Sequence, residues 1–259
     1  MNYGLYLSAA GALTSMHQQD VLANNLANIS TVGFKPDMVF TRQRLPERLE
    51  SPGTFADPNR LLERLGGGQF VQPTRVSLRQ GTLVQTDNDL DLALEGEGLL
   101  VIGAGRSTAD EHLRLTRDGR LTINADGELV MAATGMTVLD RNNLPIRLDR
   151  SAPVRIDEHG EIMQNGTSVA RLRIVATPDA EQLVKAGDNL LRLADGTPMP
   201  PGEADGRVRQ GYTEASAVDP ILTLNAMMNA AKAAQANLKM IQYHDNILGQ
   251  MCNTFARVA

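Results

Sequence analysis

The sequence predicts an α+β protein, in which a discontinuous helical domain of paired N- and C-terminal coiled-coil-type helices carries an inserted, mainly antiparallel β domain. Three observations predict it. Apolar residues recur at steps of three and four in both terminal segments. Apolar and polar residues alternate through the middle. Glycine-containing turn dipeptides punctuate that middle at short intervals.

The first helix is read from Leu5, Ala9, Ala12, Met16, Gln19, Ala23 and Leu26, of which only Gln19 is polar. This is the a/d spacing of a helix that packs along one seam. It should end between Asn28 and Gly33, where Asn and Gly tolerate a left-handed C-cap, and Pro36 blocks its continuation. Residues 1–35 are therefore assigned to the helical domain.

Residues 36–80 carry several prolines, mixed charge and the run Gly66-Gly67-Gly68. They read as an extended connector with a short helix at Pro58 to Leu65.

The β domain is expected over residues 81–205. Leu90, Leu92 and Leu94 alternate with Asp89, Asp91 and Ala93, and the same pattern marks Leu113 with Leu115, Val154 with Ile156 and Leu172 with Ile174. The turn pairs are Asp118-Gly119, Asp126-Gly127, His159-Gly160, Asn165-Gly166 and Asp195-Gly196.

Residues 206–259 return to the helical domain. Leu224, Met227, Ala231, Ala234, Leu238, Ile241, Asp245, Leu248, Cys252 and Phe255 keep the three-four alternation, broken only by Asp245. Asp219-Pro220 supplies an N-cap and a proline at the first helical position. A helix from Pro220 to Arg257 would be about 57 Å long, more than a compact domain of this size requires.

Both end segments are nearly uncharged: Asp20 is the one charge before Lys35, and only Glu214, Asp219, Asp245, Lys232, Lys239 and Arg257 are charged after Gln210. A solvated helix normally carries a charged outer face. The expected assembly interface is therefore on these helices, at Leu5, Ala9, Ala12, Met16, Ala23, Leu26, Leu224, Met227, Ala231, Leu238, Ile241, Asp245, Leu248 and Phe255. The simpler arrangement, helices paired with each other and packed as the core of the β domain, leaves the missing charge unexplained. Asp245 either fixes register at a cost in stability or stays hydrated at the seam's edge.

Catalytic and ligand chemistry find little support. Net charge is −5 and Lys and Arg are scattered, so no basic stripe exists for nucleic acid. The single Cys252 excludes an internal disulfide and any multi-cysteine metal site. Asp87-Asn88-Asp89-Leu90-Asp91 starts like a calcium loop, but Leu92 and Gly98 stand where Gly and Glu are needed. The glycine pairs Gly96/Gly98 and Gly103/Gly105 lack the Lys-Ser/Thr of a phosphate loop. His17, His112, His159 and His244 are far apart, and no serine sits in a nucleophile elbow. The expectation is a non-enzyme with no cofactor, no metal and no small-molecule substrate. No apolar stretch reaches the length that spans a bilayer, and the N-terminal residues lack the basic opening of a cleavable signal peptide.

The segment Asn24-Asn25-Leu26-Ala27-Asn28-Ile29-Ser30-Thr31-Val32-Gly33-Phe34-Lys35 resembles the N-terminal signature of the flagellar basal-body rod and hook family. Leu90 to Gly98 is similar to that family's entry into its β domain, and Gln210 to Asp219 to its exit. Leu99-Leu100 replaces the family's usual aromatics, and Ser216-Ala217-Val218 its usual Ser-Asn-Val. The resemblance covers essentially the whole chain. It adds Asn24, Asn25, Asn28, Gly33 and Phe34 to the assembly residues. It implies a structural subunit of an axial filament in the basal body, most like the distal rod proteins, with the proximal paralogues next. Implied partners are further copies of the chain, other axial proteins of rod and hook, and the flagellar export apparatus; a hook-like or adaptor subunit is the alternative.

Overall fold

The computed structural model describes residues 3–45, 66–103, 113–176, 180–194 and 204–255. The expected short helix at 58–65 and the Asp195-Gly196 turn lie outside them. The protein is α+β, with two long helices and antiparallel strands among the described residues. It divides into two compact units, one of residues 1–26, 37–74 and 219–259, the other of residues 27–36 and 75–218.

In the first unit α1 spans Tyr3–Ala27 and α2 spans Pro220–Phe255. The start of α2 is set by its sequence: Asp219 Oδ1 accepts hydrogen bonds from the amides of Ile221 and Leu222, both at 3.0 Å, and Pro220 has no amide to satisfy. Close approach of the two helices is visible at glycines. A Cβ on Gly11 would lie 2.9 Å from the Asn237 side chain, and one on Gly4 would lie 3.0 Å from His244. Asn25, buried near the end of α1, exchanges two hydrogen bonds with the backbone of Asp37, at 2.8 and 2.9 Å.

The described residues of the connector, 36–45 and 66–80, include short strands. Within it lie β1 (Asp37–Met38), β2 (Thr41–Gln43), β3 (Gln69–Val71) and β4 (Arg75–Val76). β2 and β3 pair antiparallel, Arg42 opposite Phe70, and the Arg44 guanidinium lies 5.2 Å from the Phe70 ring centroid. Gly67 and Gly68 extend this pairing: the Arg44 amide donates to Gly68 O at 2.9 Å and the Gly67 amide to Arg44 O at 3.0 Å, with Gly68 at φ +100°.

The second unit is built on β5 (Leu83–Gln85), β6 (Leu92–Glu95), β7 (Leu99–Gly103), β8 (Leu113–Thr116), β9 (Leu121–Ile123), β10 (Leu129–Met131) and β11 (Thr137–Val138). They are followed by β12 (Val154–Ile156), β13 (Glu161–Gln164), β14 (Thr167–Arg171), β15 (Ile174–Val175), β16 (Leu183–Gly187), β17 (Leu190–Leu193), β18 (Arg207–Gln210) and β19 (Tyr212–Glu214). The main sheet runs β16-β17-β8-β7-β11-β10-β9, with β15 also on β7. All pairings within this sheet are antiparallel.

β7 is apolar on both faces because both are covered: Leu100 and Ile102 enter one core with Leu129, Met131 and Ile162, while Leu99 and Val101 enter a second with Leu113, Leu115 and Leu191. In β6 the alternation of Leu90 to Leu94 does not separate a buried from an exposed face, since Leu92, Ala93 and Leu94 are all buried. β6 pairs with β18 along one edge, its Leu92 amide donates to Gly119 O, and Leu92 and Leu94 pack into the first core.

Asn165-Gly166 makes the tight turn between β13 and β14, with φ of +52° and +78° matching a type I′ hairpin. Asp118-Gly119 does not make a turn of that kind. A Cβ on Gly119 would overlap Leu92 O, so this glycine serves close backbone approach. The β16–β17 hairpin turns instead on Asp188-Asn189, with φ of +47° and +60°, a pair without the usual glycine at its second position.

Candidate assembly site

Helical residues sort into a covered face and an exposed one within the first unit. On α1, Gly4, Leu7, Gly11, Thr14, Val21 and Asn25 are buried or half-buried, as are the expected interface residues Leu5, Ala9, Ala12 and Leu26. Met16, Ala23 and Asn24 are exposed, beside Tyr6 and Leu13, each 68% accessible. On α2 the covered positions are Thr223, Met227, Ala230, Ala234, Asn237, Ile241 and His244. Met227, Ala231 and Ile241 of the expected stripe are half-buried, whereas Leu224, Leu238, Asp245 and Leu248 are exposed and Phe255 closes the helix.

The covered seam of α2 thus shares Met227, Ala234 and Ile241 with the apolar stripe but takes Thr223, Asn237 and His244 in place of Leu224, Leu238 and Asp245. The side chains seated over Gly4 and Gly11, where a Cβ would otherwise stand, are His244 and Asn237. The large apolar side chains are left outside: Ile221, Leu222, Tyr243 and Ile247 are all more than half exposed. Fully removing such a side chain from water contributes about 1.5–3 kcal/mol.

The second unit holds what the sequence did not announce. Glu214, at the end of β19, is 1% exposed and meets two buried cations, Lys35 and Arg117. Lys35 Nζ donates to Glu214 Oε1 at 2.7 Å and to Arg79 O at 2.7 Å. Arg117 Nη1 donates to Glu214 Oε2 and to Leu94 O, both at 3.1 Å, and Nη2 donates to Gly96 O at 2.6 Å. The Gly81 amide donates to Glu214 Oε1 at 2.7 Å. Arg117 Nε is buried without a hydrogen-bond partner. One carboxylate therefore serves two cations, and backbone carbonyls complete their coordination.

The segment between helix and cluster is fixed by the same contacts. Gly33 has φ +68°, and its amide donates to Glu214 O at 2.6 Å. Asn189 Nδ2 donates to Val32 O at 2.7 Å, Ala217 N to Phe34 O at 3.1 Å, and Lys185 Nζ lies 4.1 Å from the Phe34 ring centroid. Gly33, Phe34 and Lys35 are all buried. Asn28 is half-buried and its Oδ1 accepts from Thr31 Oγ1 at 3.2 Å. Of the residues taken from the signature, Gly33 and Phe34 are buried among contacts of the same chain, and Asn25 ties α1 to residue 37 of the first unit.

Burial holds the Lys35 ammonium below its ordinary value of 10.5, against the opposing pull of Glu214, and burial lowers Arg117 likewise. The folded chain then releases the Lys35 proton before the unfolded chain does. Between the lowered value and 10.5 the unfolded state binds more protons, so this contribution to stability rises with pH and is lost as pH falls through the folded value. Comparing denaturant unfolding of the wild type and Lys35→Met across that alkaline window is expected to show the difference moving in favour of the wild type. A difference independent of pH would mean that Lys35 titrates as in water.

Comparison with known proteins follows the same two ends. A family model described as flagella basal body rod protein matches residues 7–35, and one described as flagellar basal body rod FlgEFG protein C-terminal matches residues 209–254. The flagellar basal-body rod protein FlgF of Caulobacter vibrioides is 33% identical over 245 residues, 93% of each chain. The flagellar basal-body rod protein FlgG of Borreliella burgdorferi is 29% identical over 261 residues, 96% of this chain and 97% of that one. The flagellar hook-basal body complex protein FlhO of Bacillus subtilis is 25% identical over 267 residues, 98% and 99% of the two chains. The matched ends contain Lys35 and Glu214, which meet in the buried ion pair. Matched along nearly its whole length, the chain belongs to the flagellar basal-body rod proteins: it is a structural subunit of the basal-body rod and not an enzyme.

Proposed function

We propose that this rod subunit polymerises through its terminal helices, α1 and α2, which pair antiparallel into one helical unit with the β domain of residues 81–205 inserted between them. The observation that carries this is the outer face of the helices, where Tyr6, Leu13, Met16, Leu224, Leu238, Ile247 and Leu248 are exposed and few charges accompany them. Such a face is covered when neighbouring subunits supply the missing contacts. The pairing is supported by Gly4 against His244 and Gly11 against Asn237: seven residues forward along α1 correspond to seven residues back along α2. The partners are further copies of the chain and other axial proteins of rod and hook, reached through the flagellar export apparatus.

Deleting residues 3–27 or 220–255 is expected to leave a folded β unit that no longer enters basal bodies, read by circular dichroism and by blotting purified basal bodies. Truncated protein recovered in basal bodies at wild-type level would overturn the proposal. A hook-like or adaptor role is the second reading, favoured by the hook-basal body name of the FlhO relative. Labelling distinguishes them: a rod subunit is found within the rod, at its distal part by the resemblance above, and an adaptor only beyond it.

A further inference from the structure

We infer that Gly4 and Gly11 are notches that fix the register of α1 against α2 by seating His244 and Asn237, so that α2 can lie against α1 in one alignment only. This rests on the antiparallel pairing proposed above and goes beyond it, because an apolar seam alone would not choose among alignments one heptad apart.

The geometry is specific. The ideal Cβ of Gly11 would stand 2.9 Å from Asn237 Nδ2 and 3.1 Å from its Cγ and Oδ1, so the whole amide head occupies the space that a side chain would take. The Cβ of Gly4 would stand 3.0 Å from His244 Nε2 and 3.3 Å from Cε1. The two glycines are one heptad apart, and so are the two polar side chains. Sliding α2 by one heptad would seat at most one of them. At the vacated notch it would bring Ala230 or Met251, respectively too small to fill the space and carrying no polar group for it. A single polar residue at a seam position specifies register at a cost in stability, and here the cost falls on the pair Asn237 and His244.

The rest of the seam agrees with that alignment. Extending the register places Thr14 opposite Ala234, both buried, and Asn25 opposite Thr223, buried and half-buried. Gly249 of α2 has open space where its Cβ would be, so a glycine on these helices is not by itself a notch. A fixed register also decides which outer residues stand side by side. Tyr6 and Leu13 on α1 are held in one phase with Tyr243, Met240 and Leu238 on α2, and the face offered to a neighbouring copy is the same in every subunit.

The test uses the full-length chain with Cys252→Ser and two engineered thiol pairs. Thr14→Cys with Ala234→Cys reports the observed register, and Thr14→Cys with Ile241→Cys reports a one-heptad slip. Under mild oxidation the first pair is expected to crosslink and the second not. Gly11→Leu, a good helix former, is expected to abolish the in-register crosslink or pass it to the slipped pair. Adding Asn237→Ala is expected to restore it, and Gly249→Leu to leave it unchanged. Gly11→Ala, which favours the helix itself, is expected to weaken the in-register crosslink as well and covers the case in which the leucine variant fails to fold. An in-register crosslink unchanged in both Gly11 variants would overturn the notch while leaving the pairing in place. No crosslink from Thr14→Cys with Ala234→Cys in the otherwise native chain would overturn the pairing, and the notch with it.

Discussion

Replacing Glu214 with Gln is expected to destabilise the chain by about 3–5 kcal/mol, the usual cost of removing one member of a buried ion pair and leaving its partner charged. The expectation is strong because two cations lose their counter-charge at once. Lys35 and Arg117 are 2% and 4% exposed, and their other contacts are backbone carbonyls of Leu78, Arg79, Leu94 and Gly96, dipoles that cannot replace a carboxylate. The Gln oxygen can keep the Gly81 and Lys35 hydrogen bonds, but its NH2 group then faces Arg117 Nη1, donor against donor, so an acceptor is lost together with the charge. Urea unfolding of the full chain measures it. Removing a cation as well, in Glu214→Gln with Lys35→Met, should recover part of the loss, because one buried charge is then gone. A cost below about 1 kcal/mol, the range of exposed pairs, would mean that water reaches the cluster.

Gly33→Ala is the second large effect. A non-glycine residue held in the left-handed region costs about 1–3 kcal/mol. Here the added methyl would also stand 2.5 Å from the Arg117 carbonyl carbon and 2.7 Å from the Asp118 nitrogen, both backbone atoms in the buried cluster, so the chain and not a side chain must move. Overpacking of that kind adds about 1–3 kcal/mol. A combined loss of about 2–6 kcal/mol is expected in the same unfolding experiment. Gly135→Ala is the control: its φ is also positive, at +70°, but nothing lies within 4 Å of its Cβ, so it should show the strain without the overlap. Equal losses at the two positions would show that the close approach at Gly33 carries no energy.

These two residues mark how far the sequence could be read. Asp219-Pro220 announced the start of α2 because a cap and its amides are neighbours along the chain. Asn165-Gly166 announced a hairpin because both φ values are local. Asp118-Gly119 is a turn pair of the same kind and misled, since what its glycine admits is the backbone of Leu92, a tertiary neighbour. Lys35 and Glu214 gave no joint signal. They stand 179 residues apart, and each alone reads as one more surface charge. The only hint was indirect: both fall in segments that resemble one family's two signatures, whose motif includes the lysine.

By itself the sequence determined the α+β class, the two terminal helices and the family, because periodicity, caps and short motifs are properties of neighbouring residues. Tertiary structure decided which side of each helix is covered. Periodicity finds an apolar stripe, yet the helices approach through Gly4 and Gly11, where His244 and Asn237 are seated, and the stripe leucines of α2, Leu224, Leu238 and Leu248, are exposed. It also decided that one buried carboxylate joins the segment after α1 to the segment before α2, a choice made by burial and charge balance between residues that the chain itself keeps far apart.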